Sequence, residues 1–341
     1  EQVSGTTVTD AAAGITATLA NGAQVEEMGK YHVLDLGGNS GYLDMTEQTG
    51  NLFKSLDTYT VSVYYRVDED ASLSGAGFFL WAFSTSTACT ANEGKYSAYR
   101  LNAQRFANST GGYANEAGIE RGGESEKGRW MHVLYTQDGA TGILYLNGTR
   151  AGSNTAMPLN STNFTSSIPY AWIGRAPFSA DNYLRETLVY GFRVYDKVLD
   201  SEEIQTLAQA TEDLDYEYRY GEVGDFTALQ EAIHEGEDFI AENASSYPAA
   251  AIAIFQDEIN MAQTLVNEGR VNQSTIDEQL SALNAAKTTL TATAGFVFND
   301  QGIIEGYDTE RGFRHPGALH TEEDFERIRT QLAAGNLKVQ Q

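Results

Sequence analysis

The chain has 341 residues, more than the roughly 150 of a typical single domain, so two or three compact units with a sizeable core are expected. Its 22 Lys plus Arg face 47 Asp plus Glu, and the resulting formal charge of -25 sets aside nucleic acid phosphates and anionic lipid as partners. The single cysteine, Cys89, allows no internal disulfide, no Cys/His cluster has zinc spacing, and no apolar run is long enough for a membrane helix.

The first residue is Glu1, and the opening stretch lacks the basic start and apolar run of a signal peptide, so a mature or trimmed piece is expected. Six Asn-x-Ser/Thr triplets, at Asn108, Asn147, Asn160, Asn163, Asn243 and Asn272, are read as chance in a chain rich in those residues. Residues 1 to about 200 hold short runs of β-branched and aromatic residues separated by Gly, Asn, Asp and Ser, such as Thr60–Val67 and Trp130–Thr136. That spacing predicts an antiparallel β-sandwich. Gly142–Gly148 follows the Trp130 strand and ends in Asn147-Gly148, a pair that favours a tight reversal, so two adjacent hairpins are expected there. In Gly77–Phe83 both alternating faces are apolar, which places that strand between two covered surfaces or under a ligand groove.

From about residue 225 the period becomes helical. Phe226, Leu229, Ile233 and Ile240 form one stripe, Ile252, Phe255, Ile259, Ala262 and Val266 a second, and Ile276, Leu280, Leu283 and Leu290 a third. One small bundle of three helices follows, with Pro248 starting the second helix, Gly269 ending it, and Ser274 with Asp277 capping the third. Most of the excess negative charge lies in residues 201–310, as expected of a solvated spacer.

Several ordered elements carry a family likeness: Trp130-x-His-Val, Leu144-Tyr-Leu-Asn-Gly148, Trp172-Ile-Gly-Arg175, and the stretch from Tyr190 to Ile204 that ends in Asp200-Ser-Glu-Glu-Ile204. Together they resemble the closing half of a laminin-G or concanavalin-A-like lectin domain. The resemblance implies a mainly β fold, an antiparallel jelly-roll sandwich over residues 1–209, closed by a short helix from Asp200 across its end. An acidic linker is then expected over 210–224 and the bundle over 225–293. The bundle is similar to the FIVAR repeat, a spacer of surface and carbohydrate-active proteins, through Leu229-x-x-x-Ile233, Tyr247-Pro248 and Leu280-x-x-Leu283. Within the 294–341 extension, Arg314–Arg329 resembles the lead-in to the helical toroid of alginate-lyase-like and heparinase-like enzymes, where His315 and His320 read as loop residues.

Sugar binding needs flat apolar faces to stack on pyranose rings and planar polar groups to meet hydroxyls. Trp81, Tyr96, Tyr99, Arg100, Arg105, Arg175 and Asp181 are the candidates, although Trp81 also reads as core, and Tyr96 and Tyr99, three apart, cannot share one side of a regular strand. No cofactor is required; calcium is the one metal weighed, in the Ser179–Tyr183 loop with Asp181 as ligand. Asp213, Asp215 and Glu217 alternate as the facing carboxylates of a glycosidase would on a strand, but they lie beyond the closing motif. The expected function is therefore a non-catalytic carbohydrate-binding and spacer region of a secreted, periplasmic or cell-surface polysaccharide-degrading enzyme, monomeric and engaging a glycan. A structural adhesion protein and a hydrolase acting on the sandwich stand as alternatives.

Overall fold

The computed structural model describes residues 2–293 together with 297–298, 304–305 and 330. The expected toroid lead-in, with His315 and His320, lies outside the described residues. Two compact units emerge, residues 1–221 and 222–341.

The first unit contains the strands β1 (Gln2–Ser4), β2 (Thr7–Thr9), β3 (Thr16–Ala20), β4 (Gln24–Met28), β5 (Tyr31–Asp35), β6 (Tyr42–Asp44), β7 (Thr58–Val67) and β8 (Phe79–Ser84). It continues with β9 (Tyr96–Arg100), β10 (Arg105–Ser109), β11 (Glu116–Glu120), β12 (Met131–Asp138), β13 (Thr141–Leu146), β14 (Thr149–Asn154), β15 (Tyr170–Ile173) and β16 (Thr187–Tyr195). Its helices are α1 (Thr46–Phe53), the single turn α2 (Asn160–Asn163) and α3 (Ser201–Tyr220). Antiparallel pairing builds a nine-stranded sheet in the order β1-β2-β3-β6-β15-β8-β9-β10-β11 and a seven-stranded sheet in the order β14-β13-β12-β7-β16-β5-β4. This is the mainly β sandwich that the sequence predicts.

Strand alternation decides what each sheet buries. On β7 the Val61, Val63, Tyr65 and Val67 side chains enter the core between the sheets, while Ser62, Tyr64 and Arg66 point the other way. The facing sheet answers with Trp81, Phe83, Tyr99 and Phe106, and rings from the two sides pack closely: Phe106 stacks on Tyr135 at 3.6 Å between centroids, and Phe53 from α1 on Phe83 at 4.0 Å. Each fully buried ring of this kind removes enough apolar surface to contribute about 2 to 3 kcal/mol. The β8 strand is buried on both sides, Trp81 and Phe83 in the central core and Phe79 and Ala82 in a second cluster, as its doubly apolar pattern predicts.

Register is pinned at hairpins. Asn147 and Gly148 take φ of +46° and +72° and join β13 to β14 with Leu146 paired to Thr149, the two-residue reversal expected of Asn-Gly. Three of the sequon asparagines are interior: Asn108 donates to Asn160 Oδ1 at 3.3 Å, and Asn163 donates to Asn108 Oδ1 at 3.2 Å. Their amides are committed to holding the α2 turn against β10, in keeping with the chance reading of those triplets.

The helix after the sandwich differs from expectation in length and in role. Asp200 caps it, its Oδ1 accepting from the Glu202 and Glu203 amides at 2.9 Å while Glu203 accepts from the Asp200 amide, so the start is as predicted. It then runs to Tyr220 instead of stopping near 209. The stretch 210–220, expected as acidic linker, is the second half of α3. Its Leu214 is fully buried with Met28, Val33, Tyr64 and Trp130 on the outer face of the seven-stranded sheet. Acidic composition disguised this because the apolar residues are few and spaced for a helix, Ile204, Ala208, Thr211 and Leu214 forming one stripe.

The second unit is a bundle of α4 (Thr227–Asn243), α5 (Ala249–Glu268) and α6 (Gln273–Ala292) around Leu229, Ile233, Phe255, Ile259, Ala262, Ile276, Leu283 and Leu290, the three stripes read from sequence. Pro248 and Gly269 bracket α5 as expected, with Gly269 left-handed at φ +68°. The cap of α6 is Asn272, whose side chain accepts from the Thr275 amide at 3.0 Å, so Ser274, expected to cap the helix, is instead its second residue. No helix among the described residues is long and apolar enough to cross a membrane.

Candidate functional site

With α3 laid over the seven-stranded sheet, the outer face of the nine-stranded sheet is the broad sheet surface left to a ligand. Pairing brings one row of outward positions together across it: Asp44, Trp172, Ala82, Ala98, Ala107 and Gly118 lie side by side on six neighbouring strands. Small side chains make the middle of that row low. The loop after β15 fills it, with Ala176 buried and the Phe178 ring lying 5.3 Å from Tyr96 and 6.0 Å from Phe79.

The sequence-predicted residues separate into three places. Trp81 and Tyr99 are in the core between the sheets, fully buried and stacked on each other at 5.0 Å, so neither can meet a sugar. The bulge in the β8–β9 pairing between Phe79 and Trp81 turns Trp81 inward. Tyr96 does face outward, opposite in direction to Tyr99 as their spacing requires, but it lies under Phe178 with no exposed surface and its hydroxyl donates to Glu116. Burial and the Glu116 carboxylate hold the Tyr96 phenol far above the ordinary range, so it stays protonated. None of the three aromatic candidates is therefore a stacking platform in this structure.

Arg105 and Arg100 are half-buried neighbours across β9 and β10. The Arg105 guanidinium is spent on two carboxylates, Glu116 at 2.7 Å and Glu120 at 3.2 Å, which makes it a clamp between β10 and β11. Asp181 sits on the loop beyond Phe178. Burial raises its carboxyl pKa, and the charge of Arg100 opposes that rise. No group of three or more His, Cys, Asp or Glu converges there, or anywhere among the described residues, as a metal site would require.

The last candidate, Arg175, heads a different constellation. Gly174 ends β15 at φ +91°, a turn that L-residues with side chains avoid, and it sends Arg175 back over the outer face of its own strand. The guanidinium lies 4.3 Å from the Trp172 ring, 5.0 Å from Tyr42 and 5.9 Å from Tyr183, and one terminal nitrogen donates to the Tyr42 hydroxyl at 3.2 Å. Tyr42 and Tyr183 stand 5.9 Å apart, and Tyr170 extends the group by stacking on Trp172 at 5.2 Å. Trp172 is the buried floor; Tyr42, Tyr170, Tyr183 and Arg175 are all half-buried. Guanidinium stacked on aromatic faces is held in orientation by cation–π attraction, leaving its in-plane donors for a ligand. The sequence reading missed Tyr42, Tyr170 and Tyr183. Trp172-Ile-Gly-Arg175 was a signal for the centre of the cluster, whereas only sheet pairing places Tyr42 beside it.

The alternating carboxylates Asp213, Asp215 and Glu217 are on α3, where a two-residue spacing does not share a face as it would on the strand proposed for them. Asp215 accepts from the Trp130 amide at 2.9 Å, and the buried Glu217 accepts from the Lys30 amide at 3.2 Å. They tie the helix to the sandwich.

Comparison with a family model agrees with this architecture. Residues 37–205 match the model of the concanavalin A-like lectin/glucanases superfamily. Curated proteins give no match. Among solved structures, domain 4 of AbnA, a GH43 extracellular arabinanase from Geobacillus stearothermophilus solved with arabinotriose, is similar at 14% identity and a TM-score of 0.46. That likeness covers 59% of this chain and 92% of the arabinanase domain. Trypanosoma rangeli sialidase in complex with sialic acid is similar at 17% identity and a TM-score of 0.45, over 62% of this chain and 32% of that one. The binding domain of botulinum neurotoxin serotype D/C is similar at 14% identity and a TM-score of 0.45, over 63% and 50%. The chain thus spans a third of the sialidase and half of the toxin domain. The first unit is a concanavalin-A-like sandwich.

Proposed function

We propose that the sandwich is a non-catalytic glycan-binding module, and that its site is the outer face of the nine-stranded sheet around Arg175. One observation carries the reading: half-buried Tyr42 and Tyr183 flank an oriented guanidinium on this sheet face, and Tyr170 extends the group by stacking on Trp172, combining apolar rings with planar donors. The superfamily match over 37–205 supports it, since that group is named for lectins and glucanases. Within this proposal the helical bundle, through its resemblance to FIVAR, acts as a spacer, and the chain serves a secreted, periplasmic or cell-surface protein that degrades polysaccharide. Calcium at Asp181 would draw mainly on carbonyl and water oxygens.

Titration calorimetry against a panel of plant, algal and host glycans tests the site. Tyr183→Ala and Tyr42→Ala should each weaken binding by roughly tenfold, about 1.4 kcal/mol, without lowering the melting temperature of the sandwich by more than a few degrees. Binding that survives both substitutions would place the site elsewhere, and no binding across the panel would favour the adhesion or spacer reading. The burial of Trp81, Tyr96 and Tyr99 gives that second reading its support.

A further inference from the structure

Arg175 differs from Arg105, an arginine of the same face, in what neutralises it. Arg105 meets two carboxylates, whereas Arg175 forms no ion pair among the described residues, although the chain carries 47 acidic side chains. Its described polar bond is the one from a terminal nitrogen to the Tyr42 hydroxyl, and its remaining neighbours are ring faces. A half-buried guanidinium loses part of its hydration, and rings compensate its faces but not its edge. The edge formed by Nε and the second terminal nitrogen keeps the parallel pair of N–H groups that matches the two oxygens of a carboxylate.

We infer that the Arg175 site takes sugars bearing a ring carboxylate, uronic or sialic acids, in preference to their neutral counterparts. The carboxylate closes the fork on Arg175 while the pyranose ring lies against Tyr42 or Tyr183, so both halves of the cluster are used by one residue of an acidic glycan. A neutral sugar offers hydroxyls to the same fork, with neutral hydrogen bonds about half as strong as charge-assisted ones. The inference rests on the glycan-binding reading above and adds the substrate class to it.

The test uses matched pairs that differ in the carboxylate alone: oligogalacturonate and its carboxyl-reduced form, and sialyllactose and its carboxyl-reduced form. Calorimetry on the full chain should show at least one acidic member bound about tenfold or more tightly than its neutral partner, as expected for exchanging a charged for a neutral hydrogen bond. Arg175→Gln should erase that preference, and Arg175→Lys should keep part of it, since the charge stays and the fork does not. Equal binding of both members of every pair overturns the acidic preference and leaves glycan binding standing. Preference for the acid that persists in Arg175→Gln overturns the assignment to Arg175, and failure of all four ligands to bind while neutral glycans of the broader panel do bind overturns the acidic class. No binding by any ligand of either set overturns the underlying reading as well. Measured on the unsubstituted chain, the matched pairs decide the acidic preference even where a variant does not fold.

Discussion

His132 shows how a single buried residue sets pH behaviour. It lies on the outward side of β12 beneath α3, fully buried, with Nε2 2.8 Å from the Ser62 hydroxyl and its ring stacked on Tyr64 at 4.5 Å. Burial first, and the charge of Arg193 second, depress its pKa from 6.5 to about 3, so it is neutral in the folded chain. The unfolded chain binds a proton near pH 6.5 that the folded one refuses until about pH 3. This contribution to stability is therefore fully present above pH 6.5 and is lost as pH falls toward 3. At pH 4.5 the loss should be roughly 2 to 3 kcal/mol. Urea titrations at pH 7 and 4.5 on the parent and His132→Gln check it: the parent should lose more stability between the two pH values than the variant, and parallel losses would show that His132 is not the group responsible. Trp130, the neighbouring aromatic of the same buried layer, should be structural as well. Trp130→Ala should cost about 3 to 5 kcal/mol, read as a lowered denaturation midpoint, whereas the proposed glycan site around Arg175, on the other sheet, should keep its affinity once the variant is folded.

At the scale of elements, α3 is a third layer of the sandwich, and its Asp215 and Glu217 carboxylates anchor it there. Asp215→Ala removes the acceptor of the Trp130 amide and leaves a part-buried N–H without its charged partner, at a cost of about 1.5 to 3 kcal/mol. The substitution should lower the melting temperature of the first unit, and neither it nor the parent should release reducing sugar from neutral or acidic polysaccharides. Turnover by the parent that vanishes in Asp215→Ala would restore the hydrolase alternative. What was legible here follows from how local each signal is. Period-two runs, the Asn147-Gly148 reversal, the Asp200 cap and the three bundle stripes are written in neighbouring residues, and the structure contains them all. Outward and inward sorting at the site was legible only in part: the opposition of Tyr96 and Tyr99 followed from their spacing, but the β8 bulge that buries Trp81 and the Phe178 loop that covers Tyr96 depend on chain far away in sequence. The same holds for Arg175, whose partners Tyr42 and Tyr183 come from β6 and a later loop. The acidic composition of residues 210–220 suggested solvent, and four helically spaced small or apolar positions outweighed it.

On the scale of the whole molecule, the chain is two cores of different kinds joined at a short segment. The sandwich core ends with α3 at Tyr220, and Gly221, at φ +81°, accepts no further helical turn. On the far side the chain is held by the bundle almost at once: the Gly224 amide donates to the Val271 carbonyl at 2.8 Å, and the Asp225 amide donates to Gln273 at 2.8 Å. The crossing is therefore short, from Gly221, whose amide donates to the Glu217 carbonyl at 3.0 Å, to Gly224. A protease reaches backbone that can be drawn out locally, so cleavage within the described residues between the units should fall there and not within 210–220, where Leu214 and Glu217 are buried. The fragments 1–221 and 222–341 should then fold alone, since each contains its own apolar cluster, the first around Val63 and Trp81 and the second around Ile259 and Leu283. Calorimetric scans of the intact chain should resolve two transitions, the first unit's moving with His132→Gln or Trp130→Ala and the bundle's staying in place. A single transition that shifts as a whole with either substitution, or a fragment 222–341 without helical circular dichroism, would show that the bundle depends on the sandwich for its fold.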